Sequence, residues 1–345
     1  MIGTLARWGR HKTRIPFGMF ELAKSASEAR ADARLRNIYH RGQDLAWDGQ
    51  AVLAALIERH GGIRLPEDKK RALSKVFEII LWGELAAWKI SAELADEIEP
   101  LEAKMAATSQ AHDEARHFYV MFDYLAELGY RPTQIDPYSQ KVLDITLDTP
   151  SLAHKLLGMQ LMIETIALTI FAEVRALRIE PVLTELLGYY EKDEARHVGL
   201  GTQFLPQLLR RMSRTEAIGT TLFQLRLIFW TLASLKAMQK DFEALGIETR
   251  GLMRRGRAKQ LAALEEMWAG AGVKDPPFND AVVRGLEAVK ELVFPPPERR
   301  GNLLACVRAA RFAFQNPDAE LAQAQAESQA RGDAPIEPSP KAAVS

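Results

Sequence analysis

Several features that define large classes of protein are scarce or missing in this sequence. It contains one cysteine, Cys306, so an internal disulfide and a metal site built from paired cysteines are excluded. We expect that thiol to be buried and structural. The formal net charge is +0, so the chain has no overall field that would attract nucleic acid or an anionic membrane surface.

Segments that direct a chain to a membrane or to secretion are also not found. No charged start is followed by an apolar stretch of the kind seen in secretory signals. The longest apolar run, residues 222–235, is short for a bilayer and carries Gln224 and Arg226. We therefore expect a cytoplasmic protein that has no transmembrane segment and binds no nucleic acid.

The sequence also lacks the alternation of Val or Ile with polar residues that marks a half-buried strand, and shows helical spacing instead. With 345 residues, 47% of them hydrophobic, it is long enough to bury a large all-α core. Four long helices are predicted at about 67–97, 101–128, 151–178 and 182–212. Further helices are predicted at about 25–36, 49–60, 215–245, 257–269, 279–293 and 302–314.

These helices suggest four parts of the chain. We expect an N-terminal helical extension over residues 1–64, a four-helix bundle over 65–213 and a C-terminal helical region packed on the bundle over 214–315. Residues 316–345 are rich in Ala, Gln, Glu and Pro, so they are predicted to be a disordered tail.

One pentapeptide, Asp-Glu-Ala-Arg-His, occurs twice, at residues 113–117 and 193–197. In each copy a glutamate and a histidine stand three residues apart, so both lie on one face of a helix. Glu84 precedes Glu114 by the same interval as Glu164 precedes Glu194, so the whole pattern occurs twice with one constant offset. Pro100 and Pro181 lie near the two midpoints, where two antiparallel helices would turn.

The long helices carry these polar residues in the middle of apolar stripes. The first inward stripe is predicted to be Phe77, Leu81, Glu84 and Trp88. The other three are Gln110, Glu114, His117, Met121 and Tyr124; Leu157, Gln160, Glu164, Leu168 and Phe171; and Leu187, Tyr190, Glu194, His197, Gly201 and Phe204.

Packed together, these stripes predict a buried site for two metal ions. The candidate ligands are Glu84, Glu114, His117, Glu164, Glu194 and His197. Several buried carboxylates without counter-charge are costly, and two divalent cations cancel four negative charges. Carboxylate and imidazole ligands suit iron or manganese.

The residues flanking the ligands predict a supporting layer. Asp113 and Asp193 precede ligand glutamates, and Arg116 and Arg196 precede the histidines. A metal-bound imidazole usually donates its second N–H to a carboxylate. We expect crossed pairing, with Asp193 on His117 and Asp113 on His197, and arginines that keep the aspartates ionised.

Over about residues 65–212 the chain resembles the ferritin-like di-iron carboxylate superfamily. The pattern Asp-Glu-x-Arg-His, present twice, resembles the pattern of the oxygen-activating branch of this superfamily. That branch contains multicomponent monooxygenases, the ribonucleotide reductase small subunit and its ligand-binding oxidase relatives, and acyl-carrier desaturases. The resemblance implies a ferritin-like bundle with two irons bound by the six residues above. It further implies an enzyme that uses O2 to hydroxylate, N-oxygenate or desaturate a small organic or carrier-bound substrate.

Several choices stay open. The sequence has Met121 where the reductase subunit carries a tyrosine, and Leu168 where the monooxygenases carry a threonine. It has Tyr190 where the arylamine N-oxygenases carry a histidine. A manganese or mixed manganese/iron pair is an alternative to iron. The rival functions are desaturation of a carrier-bound acyl chain and, from another class, metal handling by a ferroxidase or storage protein. Because no reductase module is found, we expect electrons from an external reductase or ferredoxin, or from the substrate itself. The residues after 212 are interpreted as walls of a substrate pocket or as the contact of a homodimer.

Two smaller features allow two interpretations each. Gly83 and Gly201 interrupt helices near the ligands, either to leave room for O2 or substrate or to allow close helix packing. A basic cluster from Arg250 to Lys259 is interpreted as a solvated helix start rather than a site for a phosphate-bearing partner.

Overall fold

The structure, a computed structural model, describes residues 33–271 and 279–316. Within these ranges all regular elements are helical and no strand occurs. The all-α class is therefore confirmed for the described part of the chain. The predictions made for residues 1–32 and for the tail after residue 316 lie outside the described residues.

The described chain forms twelve helices and one short 3₁₀ turn, Pro297–Arg299. The helices are α1 Ala33–Asp44, α2 Gly49–His60, α3 Glu67–Glu97, α4 Leu101–Glu127, α5 Pro137–Leu147, α6 Leu152–Ala176, α7 Pro181–Leu209, α8 Arg214–Ala237, α9 Gln239–Ala244, α10 Thr249–Ala271, α11 Asn279–Val293 and α12 Leu303–Gln315. Inside α6 the backbone is π-helical over Leu157–Ile163.

Two helical hairpins provide the framework, and both turns lie where the prolines predicted them. α3 packs on α4 and α6 packs on α7. Pro100 immediately precedes α4, and Pro181 is the first residue of α7. The Glu180 carboxylate caps α7 by accepting hydrogen bonds from the backbone N–H groups of Val182 and Leu183. This cap satisfies donors that the helix itself leaves free, and so it fixes where the second hairpin turns.

The two hairpins also contact each other, since α4 packs on α7 and α3 contacts α6. Two hydrophobic clusters fill the interior. One contains Phe77, Tyr124, Phe171 and Tyr190, and the other is built on Leu157, Leu161 and a set of alanines that includes Ala103 and Ala107. Between them, at mid-height of the four helices, lie the glutamates and histidines of the repeated pattern.

Some predicted boundaries were wrong. Residues 215–245 are not one helix, because the chain breaks at Met238 between α8 and α9. That break lets Met238 and Phe242 pack into the same cluster as Phe77, so tertiary contacts override the local helical pattern. α1 continues to Asp44, beyond the predicted end at Arg36, and α10 begins at Thr249, well before residue 257.

One inward residue was also misplaced. Trp88 is 40% exposed, whereas Glu84, Ala87, Ser91 and Leu94 are buried. An α-helix has 3.6 residues per turn, so a strict heptad stripe drifts around a straight helix and leaves the buried face. The other members of the four predicted stripes are buried, which confirms those stripes.

Two helices are long and apolar enough to cross a membrane by length and composition alone, α6 and α8. The apolar stretch of α6 is 78% buried inside the protein, as expected of a core helix, whereas that of α8 is 11% buried. The outer face of α8 exposes Ile218, Leu222 and Phe229.

Candidate metal centre

Six acidic and imidazole side chains converge between the two hydrophobic clusters. They come one each from α3 and α6 and two each from α4 and α7, and none is more than 5% exposed. They form two overlapping groups whose potential ligand atoms lie within 4.8 Å of one another: Glu84, Glu114, His117 and Glu194 in one, and Glu114, Glu164, Glu194 and His197 in the other. Glu114 and Glu194 belong to both groups.

Both imidazoles point the same ring nitrogen at the carboxylates. The Nδ1 atom of His117 lies 3.1 Å from Glu194 and 3.4 Å from both Glu84 and Glu114. The Nδ1 atom of His197 lies 2.8 Å from Glu194 and 3.1 Å from Glu114. Each histidine therefore directs one nitrogen into the cluster and keeps the other for a partner outside it.

That outside partner is an aspartate from the opposite hairpin. His117 Nε2 lies 3.1 Å from Asp193 Oδ2, and His197 Nε2 lies 3.4 Å from Asp113 Oδ2. This is the crossed arrangement expected from the repeated pentapeptide. An aspartate that accepts a hydrogen bond from Nε2–H keeps the proton on Nε2 and leaves the Nδ1 lone pair free, which is the tautomer that a metal requires.

The two aspartates and two arginines form a closed, neutral ring of ion pairs. Arg116 donates to Asp113 at 2.6 Å and to Asp193 at 2.8 Å. Arg196 donates to Asp113 at 2.8 Å and to Asp193 at 2.7 Å. All four side chains are buried, so each charge depends on the others for compensation. The ring ties the two hairpins together directly behind the histidines.

Aromatic residues cover the His117 side of the cluster. The Tyr190 ring stacks on the His117 ring at 4.3 Å, and its hydroxyl donates to the backbone oxygen of His117 at 2.7 Å. Trp47, from the segment between α1 and α2, donates its indole N–H to Asp193 at 2.8 Å and lies under the Arg116 guanidinium. His117 is thereby held in one orientation.

Two buried amides lie beside the other group. Gln110 Nε2 donates to Glu114 at 2.8 Å and to Glu164 at 3.2 Å. Gln160, in the π-helical part of α6, donates in turn to the Gln110 oxygen at 3.2 Å. These bonds orient the two carboxylates toward His197.

The electrostatics of the cluster favour positive charge at its centre. Burial raises the pKa of the Glu84 and Glu164 carboxyls well above the ordinary value, and the charge of Glu194 adds to the effect. Burial opposes ionisation of Glu114 as well, but His197 and His117 outweigh it and lower its pKa. Burial likewise disfavours a charged imidazole, yet the surrounding carboxylates raise the pKa of His117 and His197 well above the usual range.

Several polar atoms at the centre have no hydrogen-bond partner. They are Glu114 Oε2, Glu194 Oε1 and His117 Nδ1, all buried. Buried polar atoms in proteins are nearly always satisfied, so unsatisfied acceptors that face one another fit a bound cation. The buried carboxylate and histidine cluster is able to hold a metal ion, with oxygen and imidazole ligands of the kind found in iron and manganese sites.

An apolar cavity of about 100 Å³ adjoins one edge of the cluster. Glu84 and Glu164 line it, together with Gly83 and Ile163, the residues that precede them. The remaining walls come from α3, α5, α6 and α8. Side chains from outside the hairpins therefore help to shape the space next to the two glutamates.

The basic cluster was misinterpreted from the sequence. Arg255 is buried and pairs with Glu173, while Arg250 and Arg257 pair with Glu291 and Glu287. The cluster does lie at the start of a helix, since α10 begins at Thr249. That start is not solvated, because glutamates of α6 and α11 pair with the arginines. Trp47 was not predicted at all, since it lies in a non-helical segment with no periodic pattern.

The two glycines near the ligands differ. A Cβ atom at Gly201 would lie 2.9 Å from Leu161 Cδ2 and 3.0 Å from Gln160 Cβ, so close packing requires that glycine. A Cβ atom at Gly83 would meet no atom within 4 Å. Gly83 therefore differs from Gly201 in having open space around its Cβ position and no close contact with another helix.

Comparison of the chain with known protein families and with curated proteins found no match.

Proposed function

We propose that this protein is a ferritin-like, O2-dependent di-iron oxidoreductase that oxidises an organic substrate. In this proposal α3, α4, α6 and α7 are the four-helix bundle. The observation that carries it is the pair of overlapping buried groups, Glu84, Glu114, His117 and Glu194 with Glu114, Glu164, Glu194 and His197. Two groups that share two glutamates match a pair of neighbouring cations.

The six residues would contribute to metal binding in different ways. Glu114 and Glu194, present in both groups, would help to hold both ions, and Glu84 and Glu164 would each complete one group. His117 and His197 would bind through Nδ1, because Nε2 faces an aspartate in each case. Four carboxylates and two divalent ions give a neutral buried centre.

When bound, a pair of ferrous ions supplies the electrons and the Lewis acidity needed to activate O2. The protein's own residues orient the ligands and exclude water. The ring of Asp113, Asp193, Arg116 and Arg196 holds both histidines in the binding tautomer, and the hydrophobic clusters on either side exclude water. The cavity at Glu84 and Glu164 receives the substrate, and an external reductase or ferredoxin returns the electrons.

Between the two rival classes, the same cavity favours the enzyme. A storage protein has to pass ions to a mineral, for which an acidic or polar path is suited. Here, apart from Glu84 and Glu164 themselves, the described residues around the cavity are apolar or carry only a hydroxyl group. Such a space suits an organic group better than a hydrated ion.

Iron loading in the absence of air tests the proposal. Apoprotein is incubated with equal ferrous and manganous ions, desalted, analysed for both metals and then exposed to air with ascorbate while O2 uptake is recorded. We expect about two irons per chain and O2 uptake that stops when iron is withheld. If excess ferrous ion is then added in air, many irons retained per chain would instead support storage, and no tight binding at the first step would contradict a metal centre.

Ligand variants make the test specific. Glu164→Ala and His197→Ala each remove a member of one group, so we expect loss of at least one metal per chain. Glu127→Ala is the matched control, because Glu127 is an exposed glutamate at the end of α4. Full occupancy in both ligand variants would refute the assignment.

A further inference from the structure

The cavity at Glu84 and Glu164 is not isolated. A second cavity of about 190 Å³ lies beside it, and both are lined by Ile79, Ile166, Ile170, Thr231 and Ser234. These shared residues form a wall between an inner chamber at the metal centre and an outer chamber bounded by α8, α9, α10 and α11. The two chambers are therefore neighbours that share one side, and the inner chamber reaches the two glutamates.

In the inner chamber, the two halves of the repeat contribute residues of different size. Gly83 and Ile163 occupy equivalent positions in the repeat, because each immediately precedes the lone glutamate of its half. Both line the inner chamber. At this position the α6 half thus carries a β-branched side chain, whereas the α3 half carries no side chain.

Close packing does not require a glycine at residue 83. It lies inside α3, where glycine is less favourable than alanine, and a Cβ atom at that position would enter open space. In contrast, Gly158 and Gly201 each have a side-chain atom 2.9 Å from where their Cβ atoms would lie. Gly83 therefore keeps volume open next to Glu84.

We propose that the inner chamber is the substrate subsite of this centre, that it takes an unbranched apolar chain, and that Gly83 determines how bulky that chain can be. The inference rests on the proposed function and names its substrate class. Three isoleucines, Ile79, Ile166 and Ile170, line both chambers, so in this proposal a thin chain would pass between them where a ring or a branched group would not. The apolar walls supply affinity by removing methylene groups from water.

Substitution at residue 83 tests this directly. Binding of 1-decanol and of the bulky 1-adamantanol is measured by calorimetry on metal-free protein and on protein loaded with iron without air. We expect wild type to bind decanol and not adamantanol. Gly83→Ile copies the residue of the other half, and we expect decanol to bind about tenfold more weakly, the loss of roughly two buried methylene contacts. Gly83→Ala should lie between the two.

The opposite change and a matched control complete the design. Ile163→Gly enlarges the chamber, so adamantanol should then bind. Gly219→Ile is the control, because Gly219 also lies inside a helix with no atom within 4 Å of its Cβ position but does not line either cavity. Equal decanol affinity in wild type, Gly83→Ile and Gly219→Ile would overturn the proposal.

The result separates this inference from the proposed function. Binding to the metal-free protein does not depend on iron or O2, so a chain-length and bulk preference governed by residue 83 stands even if the oxidase proposal fails. Conversely, a protein that binds about two irons and consumes O2, yet binds decanol equally well in all variants, keeps its proposed function and loses this subsite.

Discussion

The two halves of the repeat carry the same ligands in different surroundings. Residues 72–81 contribute to the aromatic cluster, while their equivalents in the second half, 152–161, contribute to the alanine-rich cluster. Tyr190 covers His117, but its equivalent in the first half is Gln110, which bonds to Glu114 and Glu164. A symmetric ligand set is thus embedded in an asymmetric core.

The backbone differs as well. α3 is a regular helix through Glu84, whereas α6 is π-helical over Leu157–Ile163, just before Glu164. π-helical turns occur frequently at functional sites because they place one more residue in a turn and redirect the side chains that follow. Here the π-helical turn contains Gln160, which points into the centre next to Gln110. The comparison teaches that two metals bound here would not be equivalent.

The largest expected effect contrasts a shared ligand with an unshared one. Glu194→Ala removes a residue from both groups, and Glu84→Ala removes one from a single group. Because a missing shared carboxylate weakens both sites, we expect iron to fall from about two per chain to near none in the first variant and to about one in the second. Metal analysis after desalting gives the counts, and identical counts in the two variants would show that no carboxylate is shared.

A smaller effect concerns the ring of ion pairs. Asp193 and Asp113 occupy equivalent positions, but Asp193 also accepts from Trp47, and it lies closer to its histidine. Asp193→Asn and Asp113→Asn each leave buried arginine charge uncompensated, which should cost about 3–5 kcal/mol of unfolding free energy. Asp193→Asn should cost about 1 kcal/mol more, because it also weakens the bond to the indole N–H.

Urea unfolding of the metal-free variants measures this difference. Trp47→Phe provides the cross-check, since in that background the two asparagine variants should become equally destabilising. If they were equal already in the wild-type background, the indole would not contribute to the asymmetry of the ring.

The residues of the repeated pattern could be predicted from the sequence, whereas important residues outside that pattern were missed. Glu164 and His197 could be predicted to lie together because a helix maps spacing onto a face, so equal spacings identify equal heights in two hairpins. Trp47 carries no such signal, since it comes from an irregular segment and bonds to Asp193, which is distant in the sequence. The same limit applies to Arg255, whose partner Glu173 lies on another helix.

The empty space beside the ligand residues is the feature that was least predictable from the sequence. Gly83 and Gly201 look alike in the sequence, as glycines inside helices near ligand residues, and both interpretations were open for each. Their difference depends on what surrounds a Cβ atom that neither residue has, which only the packing of neighbouring helices decides. Space next to Gly83 is bounded in part by α5 and α8, which lie outside the two hairpins altogether.

The smallest expected effect therefore compares these two glycines by stability. Gly83→Ala adds a methyl group in open space and removes a flexible residue from α3, so the free energy of unfolding should rise by about 0.5–1 kcal/mol. Gly201→Ala forces a methyl group against Leu161 and Gln160, so it should fall by about 1–3 kcal/mol. Urea unfolding of both variants in parallel measures the two signs. A gain at Gly83 means that the chain gives up stability there, as proteins do where function requires a cavity, whereas a loss at both positions would make Gly83 a packing residue like Gly201.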